Sequence, residues 1–179
     1  MSTYYFDDKE EGLARETSHP FFVEHARANF YYDCADEFSP FGNDSGADVL
    51  ASLAEWYQER RAGEKAATFL RKLITDWGFN PQYLEHTTQS QLETLNLDEQ
   101  YLNNVLDQAV VGVAFGQYRI AGKGDKAIID MAANAFNRQR YVAGLANRPE
   151  SPWEHYDDCI ARIAIMEADL KAMTNKKAR

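Results

Sequence analysis

Metal-assisted and acid–base chemistry needs imidazole, carboxylate or thiolate groups brought together, and the first fifty residues of this chain hold His19, Glu24, His25, Cys34, Asp36 and Asp44. Imidazole with carboxylate suits zinc, manganese or iron. The spacing does not organise them. His19 and His25 stand six residues apart, which puts them on different faces of a helix. Neither a His-Glu-x-x-His pattern nor a Cys-x-x-Cys pair occurs, and the run around Asn43 lacks the one-three-five ligand rhythm of a calcium loop. The expectation is no metal site and no cofactor, with His19, His25 and Asp36 as the residues from which a site would have to start.

Nucleophilic catalysis finds as little. Gly-x-Ser-x-Gly is absent and neither Cys34 nor Cys159 falls in a recognisable Cys–His motif, so no catalytic residue is assigned. The glycines of Ala121-Gly122-Lys123-Gly124-Asp125-Lys126 follow no strand and miss the Walker spacing, which reads as a helix-to-helix turn. Arg60, Arg61, Lys65, Arg71, Lys72, Lys123, Arg138 and Arg140 would make a basic face for nucleic acid, with tyrosines and phenylalanines to stack bases. A formal net charge of -9 opposes that reading, since phosphate would be repelled at long range. Those bases are expected to pair with acids of the N-terminal segment or to keep the surface wet.

The charge is unevenly laid out. Residues 1–50 carry eleven acids against three bases, whereas Phe115 to Arg148 has six bases against Asp125 and Asp130. Within the acidic half, the run from Asp33 to Asp48 is the most distinctive. Pro40 fixes one dihedral, while Asn43 and Asp44 are placed to bond the open amides of a following helix. That structural role suffices to explain the run. A functional role on the same loop would fall to Asp33, Asp36, Glu37, Phe38, Phe41, Asn43, Asp44 and Asp48. A helix N-terminus attracts anions, but five carboxylates between Asp33 and Asp48 would turn them away, so a cation or a basic protein is the better guest.

Ser39-Pro40-Phe41-Gly42-Asn43-Asp44, then Gly46, Asp48 and Glu55-Trp56-Tyr57, resemble the uncharacterised bacterial YfeS-type proteins, in which an acidic, aromatic N-terminus leads into such a loop and an amphipathic helix. The likeness is specific over residues 4–57 and general beyond. It implies a fold class and carries no activity. Some relatives are described with a nucleic-acid-associated WGR module, but Trp77-Gly78-Phe79 here lacks the arginine.

The elements that would hold such a loop are helical. Val49, Leu50, Leu53, Trp56 and Tyr57 recur at three- and four-residue steps from Asp44 onward, and Ala67, Leu70, Leu73, Ile74 and Trp77 repeat the pattern from about Glu64 to Gly78. Asn80-Pro81 opens a short helix through Leu84. A long helix is expected from about Asp98 to Ala121, with Gly112 and Gly116 admitting a close neighbour, and another from Asp125 to about Gly144. Ser151-Pro152-Trp153-Glu154 reads as a capping box opening the last helix. The first forty residues show no clean period and are expected to be irregular, with one short helix after Pro20.

The reading is thus an all-α multi-helix bundle forming one domain over 1–179: an irregular acidic and aromatic segment (1–43) packed across the bundle (44–173), then a basic tail (174–179). The longest apolar run, Ala109 to Phe115, is far short of the ~20 residues a membrane span needs, so no membrane association is expected. Two cysteines and an acidic start point to the cytoplasm. The leading function is a non-enzymatic interaction module that shows an acidic surface to a basic protein, as an immunity protein or inhibitor does, with Phe38, Phe41, Tyr31 and Tyr32 as aromatic anchors. The alternatives are a metal-dependent hydrolase or small-ligand enzyme centred on the same loop, and a nucleic-acid-associated regulator.

Overall fold

A helix that is apolar on every side must be surrounded by other elements. In the computed structural model every residue from Ala109 to Ile120 is buried, and the chain wraps around them. The structure describes residues 3–85, 88–94 and 97–176, without the side chains of residues 89 and 97–103. In order, the described elements are α1 (Pro20–His25), a 3-10 turn (Asn29–Tyr32), α2 (Asp44–Glu59), α3 (Ala66–Asp76), a second 3-10 turn (Pro81–Glu85), α4 (Gln89–Glu93), α5 (Leu97–Ala121), α6 (Lys126–Ala146) and α7 (Tyr156–Asn175). No strand occurs among the described residues, so the all-α bundle expected from the sequence is what forms. None of the described helices is long and apolar enough to cross a membrane.

The central helix is α5. Its main neighbours are α2 and α6, while α1, α3 and α7 also touch it and α7 lies chiefly on α6. The α2 contact depends on two missing side chains. A Cβ on Gly112 would stand 3.2 Å from Val49 Cγ1, and one on Gly116 would stand 2.7 Å from Leu53 Cδ2. The close neighbour that the glycine pair was expected to admit is therefore α2. Val49, Leu53, Leu70, Ile74, Leu106, Phe115, Phe136 and Met173 are fully buried around this seam and its flanks, each contributing roughly 1.5–3 kcal/mol.

The first forty residues are irregular as expected, apart from α1 and the Asn29–Tyr32 turn. They are held by the end of α5, whose last carbonyls have no partner within the helix. Tyr5 N donates to the Ile120 carbonyl at 3.0 Å and His19 N to the Arg119 carbonyl at 2.8 Å. The buried Arg119 guanidinium is paired with Asp7 and donates to Thr17 Oγ1 at 3.1 Å. Tyr4 packs edge-on against Tyr57 of α2.

Two expectations need correction, and two details are new. The last helix begins at Tyr156, not Ser151, because Ser151 N bonds back to the Arg148 carbonyl (3.0 Å) and Asn147 Oδ1 takes Trp153 N (2.9 Å), turning the chain before the helix. The short helix expected after Asn80-Pro81 forms as a 3-10 helix through Glu85. A real capping box appears at α4, where Thr88 and Gln91 satisfy each other's backbone amides. Arg138 neither pairs with an acid of the N-terminal segment nor stays at the surface: it is 1% exposed and forks onto Asp107 of α5, also 1% exposed, through Nε (3.0 Å to Oδ1) and Nη2 (2.7 Å to Oδ1). Leu102, an apolar residue of the long helix expected from Asp98, lies outside the described side chains. Of the tail, Thr174 and Asn175 still belong to α7 and residues 177–179 lie outside the description.

Candidate functional site

Between the Asn29–Tyr32 turn and α2 the chain has no regular ladder, so side chains replace it. Asp33 Oδ1 accepts from Ala35 N (2.8 Å), Asp36 Oδ1 from Phe38 N (3.1 Å) and Ser39 Oγ from Gly42 N (2.8 Å). Asn43 acts at both ends: its Nδ2 donates to the Ser39 carbonyl (2.9 Å) and its Oδ1 caps α2 by accepting from Gly46 N (2.8 Å). Such a cap is worth about 1 kcal/mol. The turns are tight enough to require glycine, since a Cβ on Gly42 would meet the Asp36 carbonyl oxygen at 2.2 Å and one on Gly46 the Pro40 carbonyl oxygen at 2.0 Å.

Two long-range contacts pin this loop. Arg162 of α7 donates through Nε to Asp36 Oδ2 at 2.9 Å. Phe41 enters the core beside Phe22 and is only 2% exposed. Nearby, Tyr31 is fully buried and its hydroxyl donates to Asp169 Oδ2 of α7 at 2.8 Å. Burial, then the Asp169 carboxylate, pushes the Tyr31 phenol far up, and burial also raises the Asp169 carboxyl. Tyr32 is half-buried beneath the Arg15 guanidinium, 4.1 Å from its ring centroid.

The eight residues singled out on the loop therefore divide. Asp36, Phe41 and Asn43 are committed to holding its shape. Asp33, Glu37, Asp44 and Asp48 are exposed, and none joins an ion pair with another described residue. Phe38 is half-buried, edge-on to Trp153 at 5.8 Å. His19 and His25 belong to α1: His19 Nδ1 accepts from Phe21 N at 3.1 Å, and His25 Nδ1 donates to the Phe21 carbonyl at 2.8 Å. Burial holds the His19 imidazole below its ordinary value. Among the described residues no three His, Cys, Asp or Glu side chains converge as a metal would require.

Sequence reasoning missed the cavity behind the loop. A space of about 260 Å³ is walled by Glu37 to Pro40, α5, α6, Trp153 and α7. Its polar lining is a set of amides, Asn43, Asn104, Gln108 and Gln139, beside apolar Val111, Val142, Ile163 and Met166. The buried Gln139 Oε1 has no hydrogen-bond partner. Glu37 is the one formal charge among the described lining residues. Cys159 also lines the space, but burial raises its thiol to about 11, so it is protonated at neutral pH and a poor nucleophile. Amides that donate and accept, one carboxylate at the loop and apolar side walls equip this place for binding a polar or cationic group beside an apolar one. The signal for it was faint: Asn104, Gln108 and Val111 recur at helical steps on α5, but the other walls come from three distant segments.

No protein-family model matches the chain, and no solved structure matches it. Among curated proteins it is 33% identical over 144 residues to the "Uncharacterized protein YfeS" of Escherichia coli (strain K12), an alignment covering 80% of this chain and 59% of that relative. The chain thus spans little more than half the length of the curated relative it matches. The likeness carried by Ser39–Asp44 and Glu55–Tyr57 extends far beyond the loop and α2, and over that length the chain is similar to a YfeS-type protein.

Proposed function

We propose that the chain is a non-enzymatic binding module whose 33–48 loop presents an acidic surface to a basic protein partner. The observation that carries this reading is the division of labour within the loop. Asp36 is neutralised by Arg162 and Asn43 is engaged in the cap, whereas Asp33, Glu37, Asp44 and Asp48 remain exposed and outside ion pairs with described residues. Carboxylates fixed on a braced loop steer a positively charged surface and cost little reorganisation on contact. Phe38 and Trp153, packed against each other in the cavity wall, supply apolar area beside that charge. A lysine or arginine of the partner would meet Glu37, and its neighbours the amides behind. An inhibitor that covers a basic enzyme is one instance of such a protein.

Partner capture from the native cell extract tests this with two variants. Replacing Asp33, Glu37, Asp44 and Asp48 together by lysine leaves the Arg162 clamp in place and should remove one basic protein that the unaltered chain retains. Reversing four exposed acids elsewhere, Glu55, Glu59, Asp157 and Asp158, should leave that protein bound. Equal retention by both variants would refute the assignment.

A further inference from the structure

Glu37 is exposed in the wall of the cavity behind the loop, and no lysine, arginine or histidine is among the described residues that line that space. Asn104 and Gln108 stand one turn apart on α5 and share one of its faces. Both are partly buried, and neither side chain bonds to another described residue. Asn43, the amide from the loop, is already engaged: its Nδ2 meets the Ser39 carbonyl and its Oδ1 caps α2. Phe38 and Trp153 meet edge-on at 5.8 Å, and Val142, Ile163 and Met166 complete an apolar side.

These groups select a guest by charge and by the sense of its hydrogen bonds. An anion would face Glu37 with no base to receive it. A wholly apolar molecule would strip water from two unpaired carboxamides and return no bond. A cation is attracted, and the acceptors that await it are the Glu37 carboxylate and two carboxamide oxygens. A guanidinium carries five N–H donors in a planar fork that matches a carboxylate two bonds at a time, and its flat face stacks on aromatic rings. An ammonium is compact, more strongly hydrated and has no such face. A methylene stem behind the charged head would lie along the apolar side.

We propose that this cavity is a binding site for a guanidinium group carried on an aliphatic stem. The site rests on the loop reading above in giving Glu37 a cationic guest, but it needs no protein partner. Its volume of about 260 Å³ is close to the ~300 Å³ at which small-molecule pockets begin. Two sources can supply the group, a free small molecule and an arginine side chain of a protein.

Isothermal titration calorimetry of the unaltered chain with n-butylguanidinium, n-butylammonium and pentanoate tests the assignment. The guanidinium should bind saturably, the ammonium about tenfold more weakly, and pentanoate not at all. Glu37→Gln should weaken n-butylguanidinium about tenfold, as should Asn104→Leu combined with Gln108→Met. Glu55→Gln, the same change of charge at an exposed position of α2, should leave it unaltered. Binding of N-acetyl-arginine methylamide as tight as that of n-butylguanidinium assigns the guest to a protein side chain, and its exclusion assigns it to a free molecule. No binding of n-butylguanidinium, pentanoate or n-butylammonium binding as well, or equal effects of Glu37→Gln and Glu55→Gln would each overturn the site. The ranking of the probes is read on the unaltered protein and stands whether or not a variant folds. A chain that captures its basic protein yet ignores n-butylguanidinium would remove the cavity site and leave the loop surface in place.

Discussion

Replacing Arg138 by methionine would remove the positive half of a pair that is 1% exposed on both sides. The Asp107 carboxylate, which accepts from Arg138 Nε at 3.0 and 3.1 Å and from Nη2 at 2.7 Å, would then be left charged in the core between α5 and α6. Breaking one side of a buried ion pair costs about 3–5 kcal/mol, because desolvation of the remaining charge is no longer offset. In a chain of this size that corresponds to a fall in Tm of roughly 6–20 °C. Urea unfolding followed by far-UV circular dichroism measures it directly. Removing both charges with Arg138→Met and Asp107→Leu takes the buried carboxylate away as well, so the double variant should be more stable than the methionine variant alone. A single-variant cost below ~1 kcal/mol, or strictly additive losses in the double variant, would show that the pair is not the desolvated contact described here.

Gly116→Val should destabilise by about 1–3 kcal/mol by forcing α2 from α5, since the added Cβ meets Leu53 Cδ2 at 2.7 Å, whereas Gly144→Ala, with open space around it in α6, should gain up to ~1 kcal/mol; equal effects in thermal melts would refute the packing argument. Arg162→Ala should cost only about 1 kcal/mol or less, as that pair is partly exposed, yet it should accelerate hydrogen exchange at the Phe38 and Ser39 amides, which donate to Asp36. Unchanged exchange there would mean that Arg162 does not brace the loop. Because burial lowers the folded His19 value below the ordinary 6.5, the unfolded chain takes the proton first, so stability is full above about pH 6.5 and falls as pH drops through the folded value. His19→Asn, which can still cap α1, should show a shallower loss between pH 7 and pH 5, and parallel stability curves would contradict that account.

The helices were legible where local chemistry and packing agreed. Asn43 caps α2 as its position suggested, and Gly78 and Gly122 close α3 and α5 with φ of 84° and 67°. The glycine pair of α5 correctly implied a close neighbour, although nothing local named α2. The capping box at Ser151 misled because such a box needs a free backbone amide, and the turn with Arg148 consumed it. Arg138 was grouped by residue type with the bases of the surface, and Asp107 was not singled out. Their positions carried the better signal, because Arg138 falls three residues after Ala135 on the apolar side of α6 and Asp107 sits beside Leu106 just before the long apolar run of α5. Aromatic type alone could not separate Phe38, half-buried in the cavity wall, from Phe41 and Tyr31, in the core. The cavity was invisible because it is walled by segments far apart in the chain, and only packing brings those together.

The central claim concerns the loop, and zero-length carbodiimide cross-linking of the chain to the basic protein it captures would interrogate it at the level of single carboxylates. Cross-links from partner lysines should concentrate on Asp33, Glu37, Asp44 and Asp48 and spare Asp36, which Arg162 occupies. Cross-links spread over the exposed acids of α7, or gathered at Glu10 and Glu11 with none on the loop, would contradict it.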